Sequence, residues 1–326
     1  MQSYPTWPNL AAMMFALART WPERPMLRAW RHDTNAGGGW YSINWGAFGR
    51  MAASCARNLR LAGVSAGDRV VLCMENRPEF PIAETALMAI RAVPVPAYTT
   101  NTVEDQAHLL RDSGARAAIV STAALADRLR SAAAKADGLD LLFVIDDDRG
   151  RWRELIEDQL PPDDVEAEAA SVPATALACL IYTSGTGGTP RGVMLPHRSV
   201  LSNCQGAFDL IRPLRLKNEI YLSFLPLSHA YEHTVGQFFL LTLGTEVVYA
   251  RGVEHLAADL LTVRPTILTA VPRVLEVIRM RVLSQVARET PLRQRLFRMA
   301  MTIGSKRLDQ EKLTLMENLL DPILDR

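Results

Sequence analysis

The chain has 326 residues, room for one large domain or two ordinary ones, and a protein of this size buries roughly three-quarters of its unfolded surface without disulfide or metal staples. Its 36 Lys and Arg against 35 Asp and Glu leave a net charge of +1, which argues against nucleic-acid binding as the main task. With 48% hydrophobic and 22% charged residues, the composition excludes a disordered or fibrous chain.

The first 25 residues lack a basic stretch followed by a continuous apolar core, so they do not read as a secretory signal. The longest uncharged stretch, 169–190, is rich in Ser, Thr, Gly and Pro and makes a poor membrane span. Cys55, Cys73, Cys179 and Cys204 are far apart with no CxxC pair, which favours buried reduced thiols in a cytoplasmic protein over zinc or redox sites.

Along the chain, short apolar runs at 69–75, 93–98, 117–121 and 141–146 predict strands, and the amphipathic stretches 78–92 and 103–113 predict helices between them. Such alternation predicts an α/β fold of mainly parallel sheets covered by helices. Residues 1–153 read as a first lobe. The segment 154–172 reads as an acidic connection, its stretch 154–168 holding seven acidic residues and a Pro-Pro pair. The strand pattern resumes at 177–183, 221–225, 245–249 and 266–271 in a second lobe, 173–326. From Val274 onward the apolar spacing is helical, and 273–312 carries ten basic against four acidic residues. That balance reads as a solvated helix face, with attraction to anionic lipid headgroups as the alternative.

The most informative stretch is LIYTSGTGGTPRGVMLPH, 180–197. A strand runs into Thr183, Ser184, Gly185, Thr186, Gly187, Gly188 and Thr189, followed by Pro190 and Arg191. The three glycines free the backbone to turn successive N–H groups toward one point, the hydroxyls add donors, and Arg191 adds a permanent positive charge. Convergent donors with a cation suit a polyphosphate. Neither GxxxxGK[ST] nor GxGxxG fits, because Pro190 stands at the deciding position in each.

This stretch resembles the phosphate-binding signature of the adenylate-forming superfamily, which usually has Thr at the place of Gly187 and Lys at that of Arg191. SFLPLSHAYEH, 223–233, is similar to the superfamily's second signature, in which a histidine sits beside carboxylate and phosphate. Its long-chain fatty-acid branch matches at Tyr231 and Glu232 and carries arginine where His233 stands. PTILTAVPRVLE, 265–276, resembles the same branch, as do 94–102 and 296–300; Arg91 stands where that branch usually has glycine.

The resemblance implies two stacked, helix-covered sheets and a two-step ligase using ATP, Mg²⁺ and coenzyme A. A long-chain fatty-acid carboxylate attacks the α-phosphorus of ATP, and coenzyme A thiol then displaces AMP from the acyl-adenylate. Carried over residue by residue, 183–189 and Arg191 hold the ATP phosphates, and the Thr183 hydroxyl meets Mg²⁺. His229 orients the carboxylate, and Tyr231 touches the substrate. The apolar run 237–243 reads as core helix, with a wall of the acyl tunnel as the alternative. The family's YGxTE and TGD motifs and its lysine-bearing C-terminal domain have no counterpart after Pro272, so the likeness covers the front part of a family member about twice this length. The expectation is therefore an intact phosphate loop with little turnover by this chain alone. Open alternatives are a non-catalytic nucleotide-binding or interaction fragment, a ligase for another carboxylic acid, self-association, a second half supplied separately, and peripheral contact with the inner face of a membrane.

Overall fold

In a computed structural model the described residues are 4–31, 38–136, 138–146, 151–157, 160–183, 189–309 and 313–314, with 151 and 273 described by backbone alone. The chain divides into two units, Met1–Thr269 and Ala270–Arg326.

The larger unit begins with α1 (Leu10–Thr20). Asn9 starts it, its side-chain oxygen accepting the Ala12 N–H and so satisfying one of the donors a helix start leaves open. The strands β1 (Pro25–Arg31) and β2 (Gly39–Asn44) form an antiparallel pair, and Asn44 caps α2 (Trp45–Leu61) in the same manner. Then β3 (Arg69–Cys73), α3 (Glu79–Ala89), β4 (Val93–Ala97), α4 (Val103–Ser113), β5 (Ala117–Val120), α5 (Ala123–Ala133) and β6 (Leu141–Val144) alternate. A reciprocal cap between Thr102 and Asp105 opens α4, and Gly114 closes it in the left-handed conformation.

β3 to β6 form an all-parallel sheet in the order β4-β3-β5-β6. Successive side chains of a strand point to opposite faces, and β3 shows the consequence. Val70 and Leu72 pack into the core shared with α1, α2 and α3, whereas Val71 and Cys73 pack into the core shared with α4 and α5. Both faces are covered, so an unbroken apolar strand is what the fold requires.

After α6 (Arg151–Ile156) and α7 (Asp163–Ala170), β7 (Leu177–Thr183) and β8 (Arg191–Pro196) pair antiparallel. α8 (His197–Ile211) leads to β9 (Ile220–Ser223). A continuous helical segment follows, made of α9 (Ala230–Glu232), a π-helical stretch His233–Phe239 and α10 (Leu240–Thr242). β10 (Glu246–Tyr249) and α11 (Leu256–Val263) complete the unit's elements. β10 runs parallel to both β9 and β1, giving a second sheet in the order β2-β1-β10-β9. The α/β fold with helix-flanked parallel sheets is thus what forms, with antiparallel pairing, among the described residues, only between β1 and β2 and between β7 and β8.

Some elements differ from the sequence expectation. The run 266–271 makes no strand, only an isolated bridge between Ile267 and Tyr221. The N–H groups of Thr266 and Ile267 converge on one acceptor, the Ile220 carbonyl, and the prolines at 265 and 272 supply no N–H to extend a ladder. The strands β1, β2 and β8 are additional; they are half-exposed and mix basic, aromatic and small residues, so they lack the apolar run by which the other strands stand out. Arg91 keeps the left-handed backbone that glycine would give, with φ at 63°. The run 238–241 is core, each side chain at most 3% exposed. All four cysteines are buried and free, and burial pushes the Cys73 and Cys204 thiols up to about 11 and about 12.

The second unit holds α12 (Pro272–Val286) and α13 (Pro291–Leu308), each starting with proline at a position where the missing N–H costs nothing. They expose Leu275, Met280, Leu292 and Met301 beside a series of arginines. No helix among the described residues is long and apolar enough to cross a membrane.

Candidate active site

The motif strand β7 is buried from Ala178 to Tyr182 and reaches the surface only at Thr183. Ser184, Gly185, Thr186, Gly187 and Gly188 lie outside the described residues. The chain is described again from Thr189, and Arg191 opens β8 directly opposite Thr183 in the ladder. Thr183, Thr189 and Arg191 are all exposed.

The two ends of the loop are held by one helix. The Tyr182 hydroxyl donates to Asp112 at 2.6 Å, and the His108 ring Nε2 donates to the Pro190 carbonyl at 2.8 Å. His108 and Asp112 stand four residues apart on α4, one turn of the same face. Burial and the Asp112 carboxylate both push the Tyr182 phenol upward, so it stays a donor. A Cβ at Gly192 would stand 3.0 Å from Tyr182 Cζ, a tight contact to which the ring would have to give way. Sequence reading missed His108 and Asp112, because a histidine and an aspartate on an amphipathic helix look like ordinary surface residues.

A cavity of about 410 Å³ is lined, among others, by Thr183, Pro190, His108, Tyr98, Asn101, His229 and Ala230. The fold therefore brings Thr183 and His229 onto one cavity. His229 occupies the N-cap of α9, where its Nδ1 accepts the Tyr231 N–H at 3.2 Å. That bond assigns the proton of the neutral ring to Nε2, leaving one N–H donor for an anionic group. Tyr231 is 42% exposed and is not among the cavity's lining side chains. Arg191 is likewise outside that lining.

Glu232 is buried rather than catalytic in disposition. The hydroxyls of Tyr221, Ser223 and Thr269 reach its carboxylate at 2.7, 2.7 and 3.2 Å, and burial raises its pKa. A larger cavity, about 670 Å³, is bordered by Trp30, Tyr41, Arg77, Trp152 and Arg251 and contains none of the motif side chains. Arg77 and Arg251 there are already paired with Glu79, Asp146 and Asp259.

Residues 14–324 match the family described as AMP-binding enzyme, and the chain belongs to that family. It is 29% identical over 271 residues to the long-chain-fatty-acid–CoA ligase FadD15 of Mycobacterium tuberculosis, covering 82% of this chain and 44% of that one. It is 30% identical over 272 residues to the peroxisomal long chain acyl-CoA synthetase 7 of Arabidopsis thaliana, covering 79% of this chain and 38% of that one. Among solved structures, the N-terminal domain of FACL13 from Mycobacterium tuberculosis superimposes with a TM-score of 0.70 at 23% identity, over 83% of this chain and 65% of that one. The long-chain-fatty-acid–CoA ligase FadD1 of Archaeoglobus fulgidus gives the same TM-score at 22% identity, over 89% and 56%. These structural likenesses establish the fold. The chain spans less than half the length of the two curated relatives.

Proposed function

We propose that this chain carries the ATP-phosphate and acyl-carboxylate side of a long-chain fatty-acid–CoA ligase. The observation that carries the reading is that Thr183, at the base of the glycine-rich loop, and His229 open onto the same cavity. A carboxylate oxygen attacks the α-phosphorus, the bond to the bridging oxygen breaks, and pyrophosphate leaves with the electron pair. The coenzyme A thiol then attacks the acyl carbonyl and AMP departs. Two anions must meet in the first step, so the loop donors and Arg191 disperse the phosphate charge while the His229 Nε2–H holds the carboxylate in line. Tyr231 and the loop residues 184–189 belong to the same proposal as substrate and phosphate contacts.

Mg²⁺ fits the loop as a companion of the phosphates. Thr183 offers one exposed hydroxyl oxygen, no cluster of three acidic, His or Cys side chains exists among the described residues, and Mg²⁺ completes its shell mostly from phosphate and water. When bound it would supply neutralising charge. The arginines and exposed apolar side chains of α12 and α13 support a peripheral contact with an anionic membrane face, as part of a cytoplasmic protein.

The reading is tested by the binding of hydrolysis-resistant acyl-adenylate mimics carrying palmitoyl, octanoyl or benzoyl groups to the 326-residue chain. It predicts the tightest binding for palmitoyl, and at least tenfold loss for all three in His229→Ala. Preference for benzoyl would move the chain to ligases of another acid class. Absence of binding to any mimic would leave the interaction-fragment reading.

A further inference from the structure

His229 lies between the irregular stretch 224–228 and the first turn of α9, so no strand ladder holds it in place. The segments before and after it are both bonded from one stretch of the chain, the β3–α3 connection and α3. Asn76, in the connection between β3 and α3, makes three hydrogen bonds to the approach. Its Nδ2 donates to Ser223 Oγ at 3.0 Å and to the Leu225 carbonyl at 2.7 Å, and its Oδ1 accepts the Leu227 N–H at 3.0 Å. Ser223 in turn donates to Glu232, which joins the approach to the helix that follows it.

The exit is held from the same element. The His233 backbone N–H donates to the His229 carbonyl at 2.9 Å, which makes His233 the next turn of the His229 helix. The His233 ring Nε2 lies 2.6 Å from Glu84 Oε1 on α3, and Gln237, one turn further, donates to Glu84 Oε2. Glu84 and His233 are fully buried and Gln237 is 2% exposed. A carboxylate in such surroundings has no water to turn to, so losing these partners is costly and the arrangement is held to one geometry.

We infer that Asn76 and Glu84 are the positioning residues of His229. Eight positions apart on one turn-and-helix element, they grip the histidine's segment before and after it. What His229 does rests on the function proposed above; what holds it rests on the geometry alone. Neither residue lines the cavity shared by Thr183 and His229, Asn76 bordering the larger one instead, so each acts there through the placement of the imidazole.

The experiment uses the 326-residue chain with ¹³C-labelled histidine. The order parameter of the His229 ring is measured by relaxation in the wild type, Asn76→Asp, Glu84→Gln and Glu84→Ala. In parallel, equilibrium binding is measured for Mg·ATP and for the palmitoyl-adenylate mimic. Asn76→Asp keeps the shape but sets an acceptor against the Leu225 carbonyl and competes with Glu232 for the Ser223 hydroxyl proton. The inference expects the order parameter of the His229 ring to be highest in the wild type and to fall in Asn76→Asp and Glu84→Ala, with Glu84→Gln in between because an amide still bonds one partner. Mimic binding falls about tenfold in the same two variants, while Mg·ATP binding stays within about twofold, since the phosphate loop stands on β7 and β8. A ring equally rigid in Asn76→Asp and Glu84→Gln overturns the inference, and these near-isosteric variants serve if Glu84→Ala does not fold. A wild type that binds no mimic sinks the functional reading, and the ring measurement still judges the positioning claim.

Discussion

Thr183 and Arg191 stand directly opposite each other where β7 and β8 meet the glycine-rich loop. Residues opposite in an antiparallel pair project on the same face, so the hydroxyl and the guanidinium flank one side of the loop's base. Replacing Arg191 by alanine is expected to weaken Mg·ATP binding by about 10- to 100-fold, with Arg191→Lys within a few-fold of the wild type, because the contact needs charge more than a planar fork. Calorimetric titration measures both, and equal weakening in the lysine variant would show that the fork geometry matters.

Gly236 lies against the Glu232 carboxylate, and a Cβ built there would fall onto it. The carboxylate is held by Tyr221, Ser223 and Thr269 and cannot swing away cheaply. Gly236→Ala should therefore cost about 2 kcal/mol in urea unfolding, although alanine is the better helix former. An unchanged or higher stability would mean that the Glu232 arrangement is looser than described.

His197 is buried with its Nδ1 accepting the Leu10 N–H at 3.3 Å, and burial lowers its pKa from 6.5 to about 4. In the unfolded chain the ring takes up a proton near pH 6.5, before the folded chain does. Stability from this group is therefore fully present above pH 6.5, declines as the pH falls, and levels off below about 4. The expected loss is about 2 kcal/mol by pH 5. Urea titrations of wild type and His197→Gln at pH 7 and pH 5 test this, the difference between the two proteins shrinking at the lower pH. A pH-independent difference would contradict the assignment.

Arg91 holds a left-handed conformation at φ 63° in the turn from α3 to β4, and its guanidinium bonds Ser171 Oγ at 3.0 Å. The backbone strain for a residue with a Cβ outweighs one exposed hydrogen bond. Arg91→Gly should raise stability by about 0.5–1 kcal/mol, read as a higher melting temperature. A fall in melting temperature would assign more weight to the Ser171 contact.

The alternation of strands and helices from β3 to β6 was legible in the sequence, because a strand covered on both faces needs an unbroken apolar run. Asn76, Glu84, His108 and Asp112 were not legible, because nothing local distinguishes them from other polar residues near helices. Their roles arise from what the tertiary fold places opposite them, such as Pro190 for His108 and His233 for Glu84. The strand β8 hid for a related reason: its exposed side chains, among them Val193 and Met194, follow no burial alternation. The pairing of β1 with β10 joins residues so far apart in sequence that only the folded sheet reveals it.

The central claim, that the loop and His229 bring phosphate and carboxylate together in one cavity, is tested most directly by titrating the 326-residue chain with Mg·ATP in the presence and absence of palmitate. The account predicts saturable ATP binding that is lost in the Thr183→Ala, Arg191→Ala double variant, and an ATP affinity changed by palmitate in the wild type but not in His229→Ala. Binding that survives the double variant, or a palmitate effect that ignores His229, would contradict it.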